Sequence, residues 1–216
     1  MPNWCNNFIE LQHEDPAMIK RAYDAMERGE FLNEFIPVPE DLKIVAGSLG
    51  NTEEQKQLEE ATARNVVTHG YGNWYDYCVG EWGTKWDVGE QGNSDIHPDG
   101  KLMTASFDSA WAPPLNAYEK LVEMGFGVRA TYYEGGMAYA GQWEDGNDDY
   151  YDLSQMSADQ VEDELPAEIN EMFGISECMR EYEEPEELTE WIKDGLTERG
   201  KQLMANVEKF NEENGE

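Results

Sequence analysis

The amino-acid sequence predicts an α+β fold, with an antiparallel sheet covered by helices on one face and further acidic helices at the C-terminal end. Segments of alternating apolar residues are interleaved with segments of helical periodicity, in the order strand–helix–strand and then strand–helix–strand–strand. The 216 residues are 39% hydrophobic and include 7 Trp, 11 Tyr and 7 Phe, which is enough apolar material for one substantial core. Wholesale disorder is therefore not expected.

The first predicted strand covers residues 5–11, where apolar side chains alternate loosely. A helix should begin at Pro16, because proline is favoured at the first helical position, and it should end at Gly29. Its apolar residues recur at helical spacing and form one face. We expect a short strand after this helix, ended by Pro37 and Pro39.

Two helices are predicted in the middle of the sequence. A polar helix over residues 52–65 begins with Thr52 and Gln55, which fit a capping box. An aromatic helix follows over residues 74–82, and the segment WGTKWDV predicts a turn leading into a strand.

A strand and a helix precede a predicted β-hairpin. The strand covers residues 101–108, and the helix starts after two prolines and ends at Gly125. Residues 126–134 and 137–143 then alternate, and Gly135-Gly136 between them is typical of a hairpin turn.

Acidic residues are concentrated in the last third of the sequence. Residues 155–173 and 185–210 show helical periodicity but carry few apolar side chains. From Glu144 onwards the chain holds 24 of its 47 acidic residues and 5 of its 15 basic ones. We therefore divide the chain into an α+β domain over residues 1–153 and an acidic helical extension over residues 154–216.

The formal net charge of −32 restricts the classes of partner. A surface with this charge repels nucleic-acid phosphates and anionic membranes, so direct binding to either is not expected. Its natural partners are basic proteins or cations, although acidity also serves solubility or adaptation to salt. We expect a cytoplasmic protein, because the start MPNWCNN does not resemble a secretory signal and no apolar run reaches a membrane span. The three widely spaced cysteines agree with that location.

Three motifs resemble a known family. Residues 1–7 (MPNWCNN), 82–87 (WGTKWD) and 107–114 (FDSAWAPP) look like the YubB-type ferredoxin-like domain of phage and plasmid proteins. The resemblance covers residues 1–153. It implies a ferredoxin-like α+β sandwich and a mobile-element origin, hence a bacterial host cell. It implies no established activity, no catalytic residue and no iron–sulfur cluster.

The tryptophan-rich motifs allow two interpretations. In one, Trp82, Lys85, Trp86 and Trp111 line a pocket for a small ligand, as in a ligand-binding protein or an enzyme. In the other, the indole rings belong to a tryptophan-rich core in which their N–H groups find carbonyl partners. The first interpretation requires these side chains to be accessible in a cleft.

Candidate catalytic and metal sites are scarce in the sequence. The histidines are far apart, and Asp95, His97 and Asp99 lie in a loop-like stretch without the spacing of a metal site. The acidic segment 144–149 is interpreted as a hairpin turn, because it lacks the closing Glu of a calcium loop. A reactive cysteine needs an electropositive setting, and no nucleophile or phosphate-binding motif is present. We therefore predict no catalysis, no metal and no cofactor.

The acidic helices lead to the main functional hypothesis. Their carboxylates recur every three to five residues, or about 5–7 Å at a helical rise of about 1.5 Å per residue, close to the spacing of phosphates along a nucleic-acid strand. A phage or plasmid protein with such rows would occupy the Lys/Arg-lined groove of a basic host protein or nucleoprotein complex, such as a restriction or CRISPR defence complex, and inhibit it. Plainer interpretations are a solvated acidic face, a flexible tail, or an acidic domain that oligomerises. The residues of these rows are Asp159, Glu162, Asp163, Glu164, Glu168, Glu171, Glu181, Glu183, Glu184, Glu186, Glu187, Glu190 and Asp194.

Overall fold

The computed structural model describes residues 3–50, 52–89 and 92–183, in which six strands form one antiparallel sheet. The strands are β1 (Trp4–Gln12), β2 (Asn93–Ile96), β3 (Leu102–Ala110), β4 (Gly127–Glu134), β5 (Tyr139–Glu144) and β6 (Asn147–Asp152). They lie side by side in the order β2-β3-β1-β4-β5-β6, and each neighbouring pair is antiparallel. The helices are α1 (Pro16–Glu27), α2 (Phe31–Phe35), α3 (Glu53–His69), α4 (Trp74–Glu81), α5 (Leu115–Glu123), α6 (Ala158–Glu164), α7 (Ala167–Phe173) and α8 (Ile175–Glu183), with a short 3-10 helix at Glu40–Leu42.

The first four strands have ferredoxin-like topology. β1 leads through helices to the β2–β3 hairpin, and α5 then leads to β4. As a result β1 lies between β3 and β4, with β2 at the edge, which is the arrangement of two interleaved strand–helix–strand units. β5 and β6 extend the sheet beyond β4. The α+β fold with an antiparallel sheet is therefore confirmed.

The inner face of the sheet carries the main hydrophobic core. Ile9 and Leu11 of β1 are fully buried and belong to one cluster with apolar residues of α1, α2, α4 and α5. α1 begins as the sequence predicts: Pro16 is its first residue, and the Asp15 carboxylate accepts a hydrogen bond from the Ala17 N–H. None of the helices within the described ranges is long and apolar enough to cross a membrane.

The outer face of the sheet is covered along one half by the acidic helices. There, Arg129 of β4 pairs with Glu168 of α7 at 2.6 Å, and a second apolar cluster joins α6–α8 to the sheet. The sheet thus lies between two helical layers, whereas the sequence places the helices of the α+β domain on one face and leaves the position of the acidic ones open. The division of the chain at residue 153 stays a prediction. The buried members of the second cluster are Ala140, Leu153, Val161, Leu165, Ile169 and Ile175.

The other half of the outer face belongs to β1, β3 and β2, and we call it the open half. Its side chains are mostly polar, and Asn6, Ser106 and Asp108 are exposed. Asn6 Nδ2 donates a hydrogen bond to Asp108 Oδ1 across the β1–β3 pair, at 2.7 Å. Polar side chains on one face of a strand and core residues on the other follow from the two-residue repeat of β-structure.

Residues Phe31–Phe35 form helix α2, so the predicted short strand is wrong. The first-turn N–H groups of Leu32 and Asn33 donate to the carboxylate of Asp87, at 2.7 and 2.9 Å. This carboxylate satisfies donors that the start of a helix leaves unpaired. Because the cap comes from a distant part of the chain, the local sequence gives no sign of it.

The single helix predicted over residues 155–173 is also wrong, because the chain breaks into α6 and α7 at Leu165 and Pro166. Leu165 is extended, with ψ of 141°, as expected for a residue that precedes a proline. The helix predicted over residues 185–210 lies outside the described residues.

The hairpin turn predicted in segment 144–149 is confirmed, whereas one strand begins later than predicted and one strand was not predicted. β2 begins at Asn93, later than the strand predicted directly after WGTKWDV. The acidic segment 144–149 turns at Asp145 and Gly146, with φ of 43° and 100°, as in a type I′ hairpin turn. The chain then continues as β6, which the sequence analysis missed because charged residues masked the strand.

Candidate aromatic binding surface

The three motifs that are separate in the sequence meet at one place in the fold. Trp4 of β1 pairs with Ala110 of β3, so the N-terminal motif lies beside the FDSAWAPP motif. The Trp111 N–H donates to the Asn3 carbonyl at 2.9 Å. The WGTKWD motif joins them through Thr84, whose hydroxyl donates to the Ala110 carbonyl at 3.0 Å in a buried setting.

Four aromatic rings and one lysine form an exposed cluster here, which we call the aromatic surface: Trp4, Tyr75, Lys85, Trp86 and Trp111. Trp4, Trp86 and Trp111 are 46%, 39% and 42% exposed. Lys85 Nζ lies 4.5 Å from the Trp86 ring centre, 5.2 Å from that of Trp111 and 5.7 Å from that of Tyr75. These distances are within the range of cation–π attraction. Three members of the predicted ligand pocket, Lys85, Trp86 and Trp111, are thus brought together.

The fourth predicted pocket residue, Trp82, belongs to the core. It is 4% exposed, and its indole N–H donates to the Ile36 carbonyl at 2.9 Å. The prediction that it is accessible in a cleft is therefore wrong. For Trp82 the interpretation as a buried tryptophan with a carbonyl partner holds.

Asp87, at the end of the WGTKWD motif, also has a structural role. Besides capping α2, its carboxylate accepts a hydrogen bond from the Val88 N–H at 2.8 Å. Burial raises the pKa of this carboxyl, and the backbone N–H groups of Asn33, Leu32 and Val88 oppose the rise. The WGTKWD motif thus contains residues with a structural role, such as Asp87, and residues that face solvent, such as Trp86.

The Trp111 backbone is held in an unusual conformation. Its φ is 71°, in the left-handed region that disfavours side chains. Two hydrogen bonds fix it: its N–H donates to Asn3, and its carbonyl accepts from the Tyr139 hydroxyl at 2.9 Å. Strained backbone in a well-supported position is a common mark of functional sites.

A buried polar chain supports the same loop from below. Asn7 Nδ2 donates to the Ser109 hydroxyl at 2.9 Å, and the Ser109 hydroxyl donates to the Ala112 carbonyl at 2.7 Å. Both side chains are almost fully buried. These two hydrogen bonds tie β1 to the segment that carries Trp111, so the exposed rings project from a supported base.

A groove of about 600 Å³ lies next to the aromatic surface, and we call it the open groove. It includes the open half of the sheet, with Trp4 at one side and the end of α7 at the other. Two of its residues are acidic, and none of the described residues that line it is basic. The groove is lined by Trp4, Asn6, Asn7, Phe8, Gly29, Asp87, Val88, Gly89, Gly92, Asn93, Ser106, Phe107, Asp108, Met172 and Phe173.

The predicted acidic rows are interrupted and partly neutralised. Asp159 and Glu162 of α6 both pair with Arg180 of α8, with 3.1 Å between Asp159 Oδ1 and Arg180 Nη2. Glu168 of α7 pairs with Arg129. Because α6 and α7 are separate helices, the regular spacing assumed for one long helix is wrong over this stretch.

Four acidic residues of the rows remain exposed without an ion pair to any described residue: Asp163, Glu164, Glu171 and Glu181. The other members lie beyond what the structure describes, because the side chain of Glu183 is outside it, as are Glu184, Glu186, Glu187, Glu190 and Asp194.

The described residues offer little for covalent or metal chemistry. Within them, no three His, Cys, Asp or Glu side chains come together in a metal-binding group. Cys5 and Cys78 are buried, and burial raises the pKa of each thiol to about 12. Thiols held in the neutral form are poor nucleophiles. The absence of catalysis stays a prediction for the whole chain.

Comparisons with known proteins give little guidance. No family model matches the chain, and no curated protein matches it. Among solved structures, the chain is similar to the crystal structure of a protein api92 from Yersinia pseudotuberculosis, of the DUF1281 family. The identity is 10%, the TM-score is 0.39, and the match covers 70% of this chain and 98% of that one. The resemblance to YubB-type domains stays a prediction.

Proposed function

We propose that this is a partner-binding protein that engages a basic protein through the aromatic surface. The observation that carries the proposal is the convergence of three tryptophans from three distant motifs into one exposed cluster. Tryptophan and tyrosine dominate the energetic centres of protein interfaces, and a contiguous exposed apolar patch on a protein usually marks an interaction site.

The supporting hydrogen bonds favour tight binding by this surface. Thr84, Ser109 and Asn7 fix the loops that carry Trp86 and Trp111 before any partner arrives. A preordered surface loses little conformational freedom on association, which improves affinity. The net charge of −32 would attract a basic partner from a distance and accelerate the encounter.

We further propose that the partner is a host nucleic-acid-binding protein, such as a restriction or CRISPR defence complex, and that the protein serves a phage or plasmid in the bacterial cytoplasm. This rests on the charge and on the resemblance of the motifs. Mimicry of a phosphate row now depends on Asp163, Glu164, Glu171 and Glu181 together with acidic residues outside the described part. In this proposal, the acidic residues steer the partner and the tryptophans anchor it.

A small-ligand site is the second candidate, since Lys85 already lies over three aromatic rings. A planar ligand could stack on Trp86 and Trp111 after displacing the lysine side chain. Such a ligand would be bound on an open surface, because Trp82 is not available to close a pocket.

The test is affinity capture from nuclease-treated bacterial lysate with the full chain and its variants. Trp86→Ala and Trp111→Ala should each reduce recovery of the specific partner at least tenfold, while the matched control Val67→Ala, at a residue of α3 that is 88% exposed, should keep it. A partner that all three variants retain equally would contradict the proposal. A complex that persists unchanged in high salt would contradict the role of charge.

A further inference from the structure

We infer that the open groove binds the guanidinium group of an arginine side chain presented by the partner. This rests on the proposed function and specifies the chemistry that the neighbouring groove recognises. The inference comes from two properties of the groove: its charge and its aromatic walls.

The charge of the groove selects a cation. Asp87 and Asp108 are the acidic groups in its lining, and no Lys or Arg occurs among the described residues that line it. Asp87 is occupied by three backbone N–H groups. Asp108 is exposed and accepts one hydrogen bond from the described residues, that of Asn6, so its second oxygen is available to a ligand.

Aromatic rings stand where a guanidinium could stack. Trp4 is two residues from Asn6 on the same face of β1, and this places it about 7 Å along the strand from the Asn6–Asp108 pair. Phe8, on the same face of β1, and Phe173 of α7 also line the groove. The neighbouring Lys85 shows that the adjoining rings already accommodate a cation.

Arginine matches this combination better than lysine does. Its guanidinium is planar, stacks on aromatic faces and presents five N–H donors, so one group can stack on Trp4 while it pairs with Asp108. A lysine ammonium is a compact point charge that gains less from flat rings and cannot present a planar pair of donors to a carboxylate. Anionic ligands are excluded by Asp108 and by the net charge of −32.

The test is titration of the full-length protein with a Gly-Arg-Gly-Arg-Gly peptide and with matched peptides that carry lysine or citrulline, followed by calorimetry. We expect Asp108→Asn to reduce affinity for the arginine peptide at least tenfold. Asp163→Asn, which removes the same charge from α6 at a site outside the groove, should change it less than twofold. The lysine peptide should bind at least fivefold more weakly than the arginine peptide, and the citrulline peptide should not bind.

Equal losses in the two variants would overturn the inference, because they would show attraction to the overall charge and not to the groove. Equal binding of the arginine and lysine peptides would overturn the guanidinium assignment. Thermal unfolding of Asp108→Asn should match that of the unmodified protein, since an asparagine can still accept the Asn6 hydrogen bond. If Asp108→Asn keeps peptide and partner while Trp86→Ala loses the partner, this inference fails and the proposed function stands. If Trp86→Ala and Trp111→Ala keep the partner, the proposed function fails.

Discussion

The two halves of the outer face of the sheet differ in what they contribute to stability and to binding. On the β4–β6 half, small and apolar side chains such as Ala140 pack under α6–α8, and residues such as Ile169 are fully buried. On the open half, the same strand geometry presents Asn6, Ser106 and Asp108 to solvent. On the inner face, buried residues of β1, β3, β4 and β5 belong to one apolar cluster. The covered half therefore contributes stability, whereas the open half is free to carry a binding site.

The largest predicted effect concerns the covered half. Ile169→Ala removes a fully buried side chain from the centre of the second cluster and should lower the free energy of unfolding by about 2–5 kcal/mol. Ser106→Ala in the open half should change it by no more than about 0.5 kcal/mol. Urea denaturation measures both. If the two variants were equally stable, α6–α8 would not be part of the cooperative unit, and the contrast between the halves would fail.

The second prediction concerns Asp87, which links the motif region to the core. Asp87→Ala leaves the N–H groups of Leu32, Asn33 and Val88 without their acceptor and should lower the free energy of unfolding by about 1–3 kcal/mol. Asp108→Asn, also within the motifs, should be close to neutral because Asp108 faces solvent. A stability loss for Asp108→Asn as large as for Asp87→Ala would show that the two aspartates do not differ in role.

Local sequence signals predicted the elements that local chemistry controls. Pro16 and Asp15 marked the start of α1, and the glycines between β4 and β5 marked the hairpin. The sequence did not predict α2, because its cap is supplied by Asp87 from a distant segment. Pro166 was present as a signal for the break between α6 and α7, but the acidic periodicity on both sides obscured it.

The sequence predicted which residue types form the candidate site, but not how their side chains are arranged. Trp82 and Trp86 are four residues apart in one motif. Trp82 is buried and donates a hydrogen bond to the Ile36 carbonyl, whereas Trp86 is exposed beside Lys85. Their difference arises from which elements pack around the loop, which a single sequence does not reveal. The groove between Trp4 and Phe173 was missed for the same reason, since it depends on where α7 lies on the sheet.

The smallest predicted effect tests whether the aromatic surface is maintained at a cost in stability. Trp111→Ala and Trp111→Gly both remove the indole, so both should lose partner binding to the same extent. They differ in the backbone: at φ of 71° alanine is strained and glycine is not, so the glycine variant should be more stable by about 1 kcal/mol. Urea denaturation of the two variants measures the difference in backbone strain, because both variants lose the same ring contacts. An alanine variant as stable as the glycine variant would mean that the loop relaxes and that Trp111 is not held in the left-handed region. If the glycine variant is the more stable, the fold accepts a strained residue at position 111. Core packing alone does not require this strain, whereas presenting a tryptophan at the centre of the aromatic surface does.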